Sequence, residues 1–294
     1  MDLLAEQPSE PVEPESSCVV QFVAPGDFLQ TYGLRENPFP DSVQPAFFFR
    51  TEAHAEAYRS MMLAADFRTS LGLVTGPSGT GKTLVSQLLL QALDAAKYRT
   101  VLILVTPGLS KTGLMREILS ELGVALPIGV GQVQELMRLL SNHIMELREE
   151  GKRLVMLIDE AHLLSSDCLH LIRTISNIET PEEKLSTCVL FAEARLLQRL
   201  KNPAYESLCN RIFLRAELHA LTPDETAQYV KFRLMTVGRM NDLFTADGIV
   251  RLHVCSGGIP RTLNKLAMLS LIEGAMRQMG MIDKEIVAAA AKRL

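Results

Sequence analysis

The chain has 294 residues, 47% of them hydrophobic, with 34 acidic against 30 lysine and arginine side chains and a net charge of −4. That is enough for a sizeable core in one large or two moderate domains, and it excludes an overall basic footprint, so any nucleic-acid contact has to be local. No apolar run approaches the ~18 residues of a membrane span and no basic stretch followed by an apolar one opens the chain, so the expectation is a cytoplasmic protein without a direct span.

Residues 1–27 are rich in Glu, Pro and Ser, with Pro8, Pro11 and Pro14 evenly spaced. Such a stretch buries too little apolar surface to order itself and reads as a flexible acidic tail. From Phe28 to Phe49 aromatic residues crowd together in a chain that has few, which points to a loop packed against the domain. A helix is expected over about 52–68. The apolar run Leu71-Gly72-Leu73-Val74-Thr75 then has the pattern of a short buried strand.

Gly76-Pro77-Ser78-Gly79-Thr80-Gly81-Lys82-Thr83 follows, and it fits G-x-x-x-x-G-K-[ST], the phosphate-binding P-loop. The glycines let successive N–H groups turn toward an anion. Lys82 is placed to reach the β- and γ-phosphates, and the Thr83 hydroxyl to ligate Mg²⁺. Leu84, Val85, Leu88, Leu89 and Leu93 recur at helical spacing after it, so the phosphates sit at a helix N-terminus, where the dipole favours negative charge.

Strands and helices then alternate. Residues 100–105 read as a strand, 111–122 and 132–150 as helices, 154–158 as a strand, 165–178 as a helix and 187–191 as a strand. This alternation predicts an α/β fold: a parallel sheet with helices on both faces. From Thr222 onward the pattern is helical only, over 223–239, 245–254, 260–278 and 283–293. The expected organisation is a tail (1–27), an α/β nucleotide-binding domain (28–221) and a small all-helical lid domain (222–294). Thr222-Pro223-Asp224-Glu225 carries a capping residue, a proline and two acids, a strong helix start.

The strand at 154–158 ends in Asp159-Glu160, which matches a Walker B motif. Asp159 would hold Mg²⁺ and Glu160 would orient or deprotonate the attacking water. With ATP and Mg²⁺ as cofactors, the pair points to an ATPase rather than a passive nucleotide binder. His162 completes Asp-Glu-Ala-His; it reads as a capping or packing residue, with a relay to Glu160 as the alternative. The five cysteines (Cys18, Cys168, Cys188, Cys209, Cys255) are scattered and in no metal-ligand spacing, so they read as reduced thiols.

The chain resembles AAA+ ATPases of the general secretion pathway protein A type. The resemblance rests on Tyr32-Gly33-Leu34-Arg35-Glu36-Asn37-Pro38-Phe39, the P-loop, Leu157-Ile158-Asp159-Glu160-Ala161-His162, the stretch Ile172 to Thr180, and Ser256-Gly257-Gly258-Ile259-Pro260-Arg261-Thr262-Leu263-Asn264. It implies that Arg261 is a sensor 2 arginine reaching from the lid to the nucleotide, against the alternative of a surface arginine. It implies that Arg211 is an arginine finger acting on a neighbouring subunit's ATP, against an ion pair within the subunit. It implies that Asn37, Pro38 and Phe39 lie near the adenine, against plain packing. Where the family has Gly-Gln-Pro-Glu-Leu, with the glutamine at the sensor 1 position, this chain has Ala192-Glu193-Ala194-Arg195-Leu196. A carboxylate facing the γ-phosphate there implies slow or partner-dependent hydrolysis unless Arg195 or Lys82 pairs with it.

The resemblance further implies a head-to-tail ring or filament that serves a protein partner of a secretion, pilus or export system. A transposition or target-selection ATPase assembling on duplex DNA is the alternative, with Arg195, Arg199, Lys201, Lys292 and Arg293 as its basic candidates. A third reading is a signalling ATPase of the STAND type, although no repeat or sensor segment accompanies it.

Overall fold

The structure is a computed structural model, described here for residues 27–41, 47–127, 129 and 131–294. The predicted acidic tail lies outside the described residues except for Asp27. The elements in chain order are α1 (Asp27–Thr31), α2 (Glu52–Asp66), β1 (Leu71–Thr75), α3 (Lys82–Ala92), β2 (Tyr98–Leu104), α4 (Lys111–Leu122), α5 (Val133–Glu149), β3 (Arg153–Asp159), α6 (Ser166–Ile175), β4 (Ser186–Ala192), α7 (Ala194–Leu200), α8 (Glu206–Cys209), β5 (Ile212–Glu217), α9 (Pro223–Thr236), α10 (Ala246–Ser256), α11 (Pro260–Met276) and α12 (Lys284–Ala291). Short 3₁₀ turns at Ala161–Leu163 and Pro203–Tyr205 complete the set.

The five strands form a parallel sheet in the order β2-β3-β4-β1-β5. Period-2 alternation divides its side chains between two cores. Leu154, Met156 and Ile158 of β3 pack on one face with α4, α5 and α6, through residues such as Leu119, Leu140 and Ile172. Val155 and Leu157 point to the other face, where Met61 of α2 and Val85 and Leu89 of α3 cover them. Burial on both faces explains why β3 and β4 read as unbroken apolar runs.

One strand was not legible. β5 carries only Ile212 and Ala216 inward as buried residues, while Phe213 on this edge strand is 73% exposed. Its alternation is short, and the charged Arg215 and Glu217 dilute the apolar signal.

After Thr222 the described residues form four helices. Their caps are local: Thr222 and Glu225 make a reciprocal capping box, and Thr245 and Asp283 cap α10 and α12. Aromatic residues among the described part of 28–49 join this helical core rather than the sheet. Phe28, Tyr32, Leu34, Phe39 and Phe47 are buried with Tyr229, Leu252 and Leu263. Phe39 meets Phe244 edge-on at 6.4 Å, and Phe49 meets Tyr229 edge-on at 5.6 Å. Residues between Phe28 and Phe47 and the helices after Thr222 therefore share one core.

Phe39→Ala is expected to destabilise the helical core by about 3–5 kcal/mol, the usual cost of emptying a buried phenylalanine site. Denaturant unfolding checks this; a loss under about 1 kcal/mol would mean the segment does not pack as described.

Candidate nucleotide site

The P-loop bridges β1 and α3 at the carboxyl edge of the sheet. Gly81 has φ +101°, and a Cβ there would lie 2.8 Å from the His54 ring nitrogen. Gly79 has φ +80°, and a Cβ there would lie 2.8 Å from the Arg261 Cβ. Both positions require a left-handed backbone in a crowded setting, which only glycine meets without strain.

Lys82 is buried, and its Nζ donates to the carbonyls of Gly76 at 3.0 Å and Pro77 at 2.9 Å. Burial lowers its pKa, opposed by the negative fields of Glu160, Glu193 and Asp159. The Thr83 hydroxyl donates to Asp159 Oδ2 at 2.6 Å, so the two residues expected to share a metal are in direct contact. Asp159 Oδ1 accepts the Glu160 backbone N–H at 2.8 Å. Glu160 itself adopts φ +55°, ψ +31°, a left-handed conformation disfavoured for a non-glycine residue and held by its surroundings.

Beside the loop stands His54, which the sequence reading did not single out. Its Nε2–H donates to the Thr80 carbonyl at 2.9 Å, and its Nδ1 accepts from the Thr51 hydroxyl at 2.7 Å. The ring of Phe48 meets it edge-on at 5.5 Å. His54 thus fastens the loop to the start of α2.

From the helical side, the Arg261 backbone N–H points to the Gly79 carbonyl at 3.4 Å, and its guanidinium donates to the Ser78 hydroxyl at 3.3 Å. The cleft between loop and helices holds about 960 Å³ of space, its open mouth included. Its far wall is formed by Phe47, Phe48, Phe49, Tyr229, Arg233 and Asn264. Arg233 is 4% exposed, lies against the rings of Phe47 (4.8 Å) and Tyr229 (5.4 Å), and donates to the Phe47 carbonyl at 3.0 Å. No carboxylate pairs with it among the described residues, and burial lowers its pKa.

Asn37, Phe39 and Arg211 are not on the cleft wall. The Asn37 side chain accepts the Phe39 backbone N–H at 2.9 Å in a local turn, and Phe39 packs behind Arg233; Pro40 and Asp41 reach the wall instead. Arg211 sits in the turn before β5 beside Glu206, Ser207 and Asn210, away from its own chain's P-loop. Its Nε has no partner among the described residues.

At the sensor 1 position, the Glu193 carboxylate pairs with Arg195 at 3.3 Å, while Lys82 is occupied by the loop carbonyls. His162, expected to cap or pack, lies between Glu193 and Glu160. The string Asp-Glu-Ala-His marked the residue, but its partner stands 31 positions further on, beyond the reach of local pattern.

Residues 65–200 match a family model described as an AAA domain. With the five-stranded order, the P-loop and the helices that follow, this gives the chain the fold of the AAA+ P-loop proteins. It is a relative of general secretion pathway protein A of Aeromonas hydrophila, 34% identical over 250 residues, which is 85% of this chain and 45% of that protein. The chain thus spans a little under half the length of that relative. Cdc6p of Pyrobaculum aerophilum shares the fold with a TM-score of 0.64 at 16% identity, covering 87% of this chain and 70% of that one. The Holliday junction branch migration motor RuvB of Thermotoga maritima shares it with a TM-score of 0.54 at 18% identity, covering 88% and 74%. No helix of the described residues is long and apolar enough to cross a membrane.

Burial lowers the pKa of His54, which the Thr80 carbonyl and Glu225 oppose. A group with a depressed folded-state pKa stabilises above its unfolded value, about 6.5 for histidine, and that stability is lost as pH falls below it. Unfolding free energy measured in denaturant is therefore expected to drop between about pH 7.5 and about pH 5.5. His54→Gln, which keeps a donor to Thr80 without titrating, is expected to flatten part of the drop. An unchanged slope would mean His54 does not carry it.

Proposed function

We propose that this chain is a Mg²⁺-dependent ATPase that binds ATP in the P-loop cleft and acts as a switch. The observation that carries the reading is the direct contact of Thr83 with Asp159 beneath the buried Lys82, faced by Arg261 from the helical side. Two hard oxygen donors converge there, the donor set a Mg²⁺ ion takes. Mg²⁺ held by Thr83 and Asp159 would neutralise phosphate charge. Lys82 exchanges its loop carbonyls for phosphate oxygens, a stronger acceptor. Glu160 accepts the proton of the attacking water. Arg261 ties the position of the helices to the charge on the γ-phosphate.

Arg211 supports assembly. It has an unpaired Nε and does not reach its own cleft, as a finger acting in trans requires. Head-to-tail contact of such copies closes a ring or runs on as a filament. The kinship with general secretion pathway protein A favours a protein partner in a secretion, pilus or export system, which ATP-driven assembly would remodel.

Lys82→Ala is expected to weaken binding of a fluorescent ATP analogue at least about tenfold. Glu160→Gln should leave that binding nearly intact and cut turnover by about 10²-fold or more. Turnover surviving in Glu160→Gln would remove Glu160 from the reaction.

Light scattering after size exclusion, with a nonhydrolysable ATP analogue, tests assembly. Higher-order species formed on nucleotide alone and lost in Arg211→Ala are expected. Assembly that appears only with duplex DNA would replace the protein-directed reading with a DNA-directed one. A monomer throughout would remove the switch by assembly.

A further inference from the structure

The buried histidine of the Asp-Glu-Ala-His string has a geometry that the ATPase reading does not use. The His162 side chain is 1% exposed, between carboxylates that are each about one-third exposed. The Glu193 backbone N–H donates to His162 Nδ1 at 3.2 Å. A ring nitrogen that accepts a hydrogen bond carries no proton, so this contact fixes the neutral tautomer with its proton on Nε2. Nε2 faces Glu160 Oε2 at 3.3 Å and Glu193 Oε1 at 3.8 Å. Nε2 thus carries the ring's single N–H, and Glu160 Oε2 is the nearer of the two carboxylate oxygens beside it, within ion-pair distance. Burial independently lowers the imidazole's pKa, while Glu193 and Glu160 oppose this.

Glu160 needs such a restraint. It follows β3 in a left-handed conformation, and the groups tied down are those of its backbone: the N–H donates to Asp159 and the carbonyl accepts the Leu163 N–H. A carboxylate at this position has several rotamers, and a base acts only within hydrogen-bond reach of its proton. The turn that carries His162 is itself held from α7: Arg199 donates to the carbonyls of His162 at 3.0 Å and Leu164 at 2.8 Å. A continuous set of contacts thus runs from the segment after β4 to the side chain after β3.

We propose that His162 is a positioning residue: its Nε2–H holds the Glu160 carboxylate in place, and the Glu193 backbone N–H imposes the tautomer that makes this donation available. The inference rests on the reading of Glu160 as the base in ATP hydrolysis, but the contact itself exists without nucleotide. It ties the sensor 1 segment to the base through one ring, so displacement of Glu193 by a bound phosphate or by a neighbouring copy reaches Glu160 directly.

Long-range proton–nitrogen NMR on the full chain tests the contact without turnover. The expected result is an unprotonated Nδ1, a protonated Nε2, and an Nε2 resonance that moves in Glu160→Gln. An Nδ1–H tautomer, or a resonance indifferent to Glu160→Gln, overturns the proposal. The kinetic test uses three variants. Asparagine keeps an acceptor for Glu193 but falls short of Glu160, glutamine restores a donor at the Nε2 position, and alanine does neither. His162→Ala and His162→Asn are expected to lower kcat about tenfold or more, with KM changed less than about twofold. His162→Gln is expected to recover most of the loss. Equal loss in all three, or a raised KM with kcat unchanged, overturns the positioning role. Failure of the underlying reading looks different: wild type and Glu160→Gln would then turn over ATP alike, while the NMR result still decides the contact.

Discussion

The arrangement of the site follows from one constraint, the insertion of β4 between β1 and β3. Parallel neighbours lie about 4.8 Å apart, so the P-loop strand and the strand ending in Asp159 stand two spacings from one another. Thr83 nevertheless touches Asp159 at 2.6 Å. The loop therefore curves across the end of β4, and the left-handed glycines allow that path. The residue directly after β4, Glu193, is left beneath it. Its nearness to the phosphate cradle is a consequence of strand order, and so is its contact with the turn after β3.

The same topology gathers Asp159, Glu160 and Glu193 at one edge of the sheet. Such a concentration of negative charge opposes binding of a phosphate unless something offsets it. The positive end of α3 and the inward N–H groups of the loop do so from below. Buried Lys82 does so from within, and its desolvation is eased by the three acids themselves. Arg195 neutralises Glu193 from the solvent side, where screening weakens it. His162, its Nδ1 accepting the Glu193 backbone N–H, lies between the two acids with Nε2 3.3 Å from Glu160 and 3.8 Å from Glu193. Glu193 beside the P-loop thus becomes tolerable in this chain through residues local to it.

Much of this was legible in the sequence. The P-loop and the Asp159-Glu160 pair are short motifs whose chemistry depends on adjacent residues, and the buried strands and capped helices announce themselves by apolar runs and end signals. The missed features depend on distant pairs. β5 is an edge strand with a diluted alternation. His54 acts on a loop 26 residues away through a backbone carbonyl. The Phe28–Phe49 segment packs on helices some 200 residues later, and no local period reports that choice. Arg233 carries no local signal of its burial: Tyr229 lies one turn away in α9, but Phe47, whose carbonyl it reaches, stands 186 positions earlier.

That last placement bears on how the molecule would respond to a ligand. The cleft lies between two separately packed cores, the sheet and the helical core that includes Phe39 and Phe47. Across it, the polar contacts between Arg261 and the loop are long, at 3.3 and 3.4 Å. Each side has its own packed core, and the polar contacts of Arg261 join them where Gly79 and Arg261 are in close approach. A ligand shifts such a junction only by the difference in free energy it gains in the two arrangements. A polyanion in the P-loop would supply a difference of that kind, since the Arg261 guanidinium already meets Ser78 of the loop. On the opposite wall, Arg233 is already desolvated and caged by rings, so its charge resists movement and fixes that side. Arg261 thus meets the loop through long contacts at the cleft, whereas Arg233 lies inside the aromatic wall.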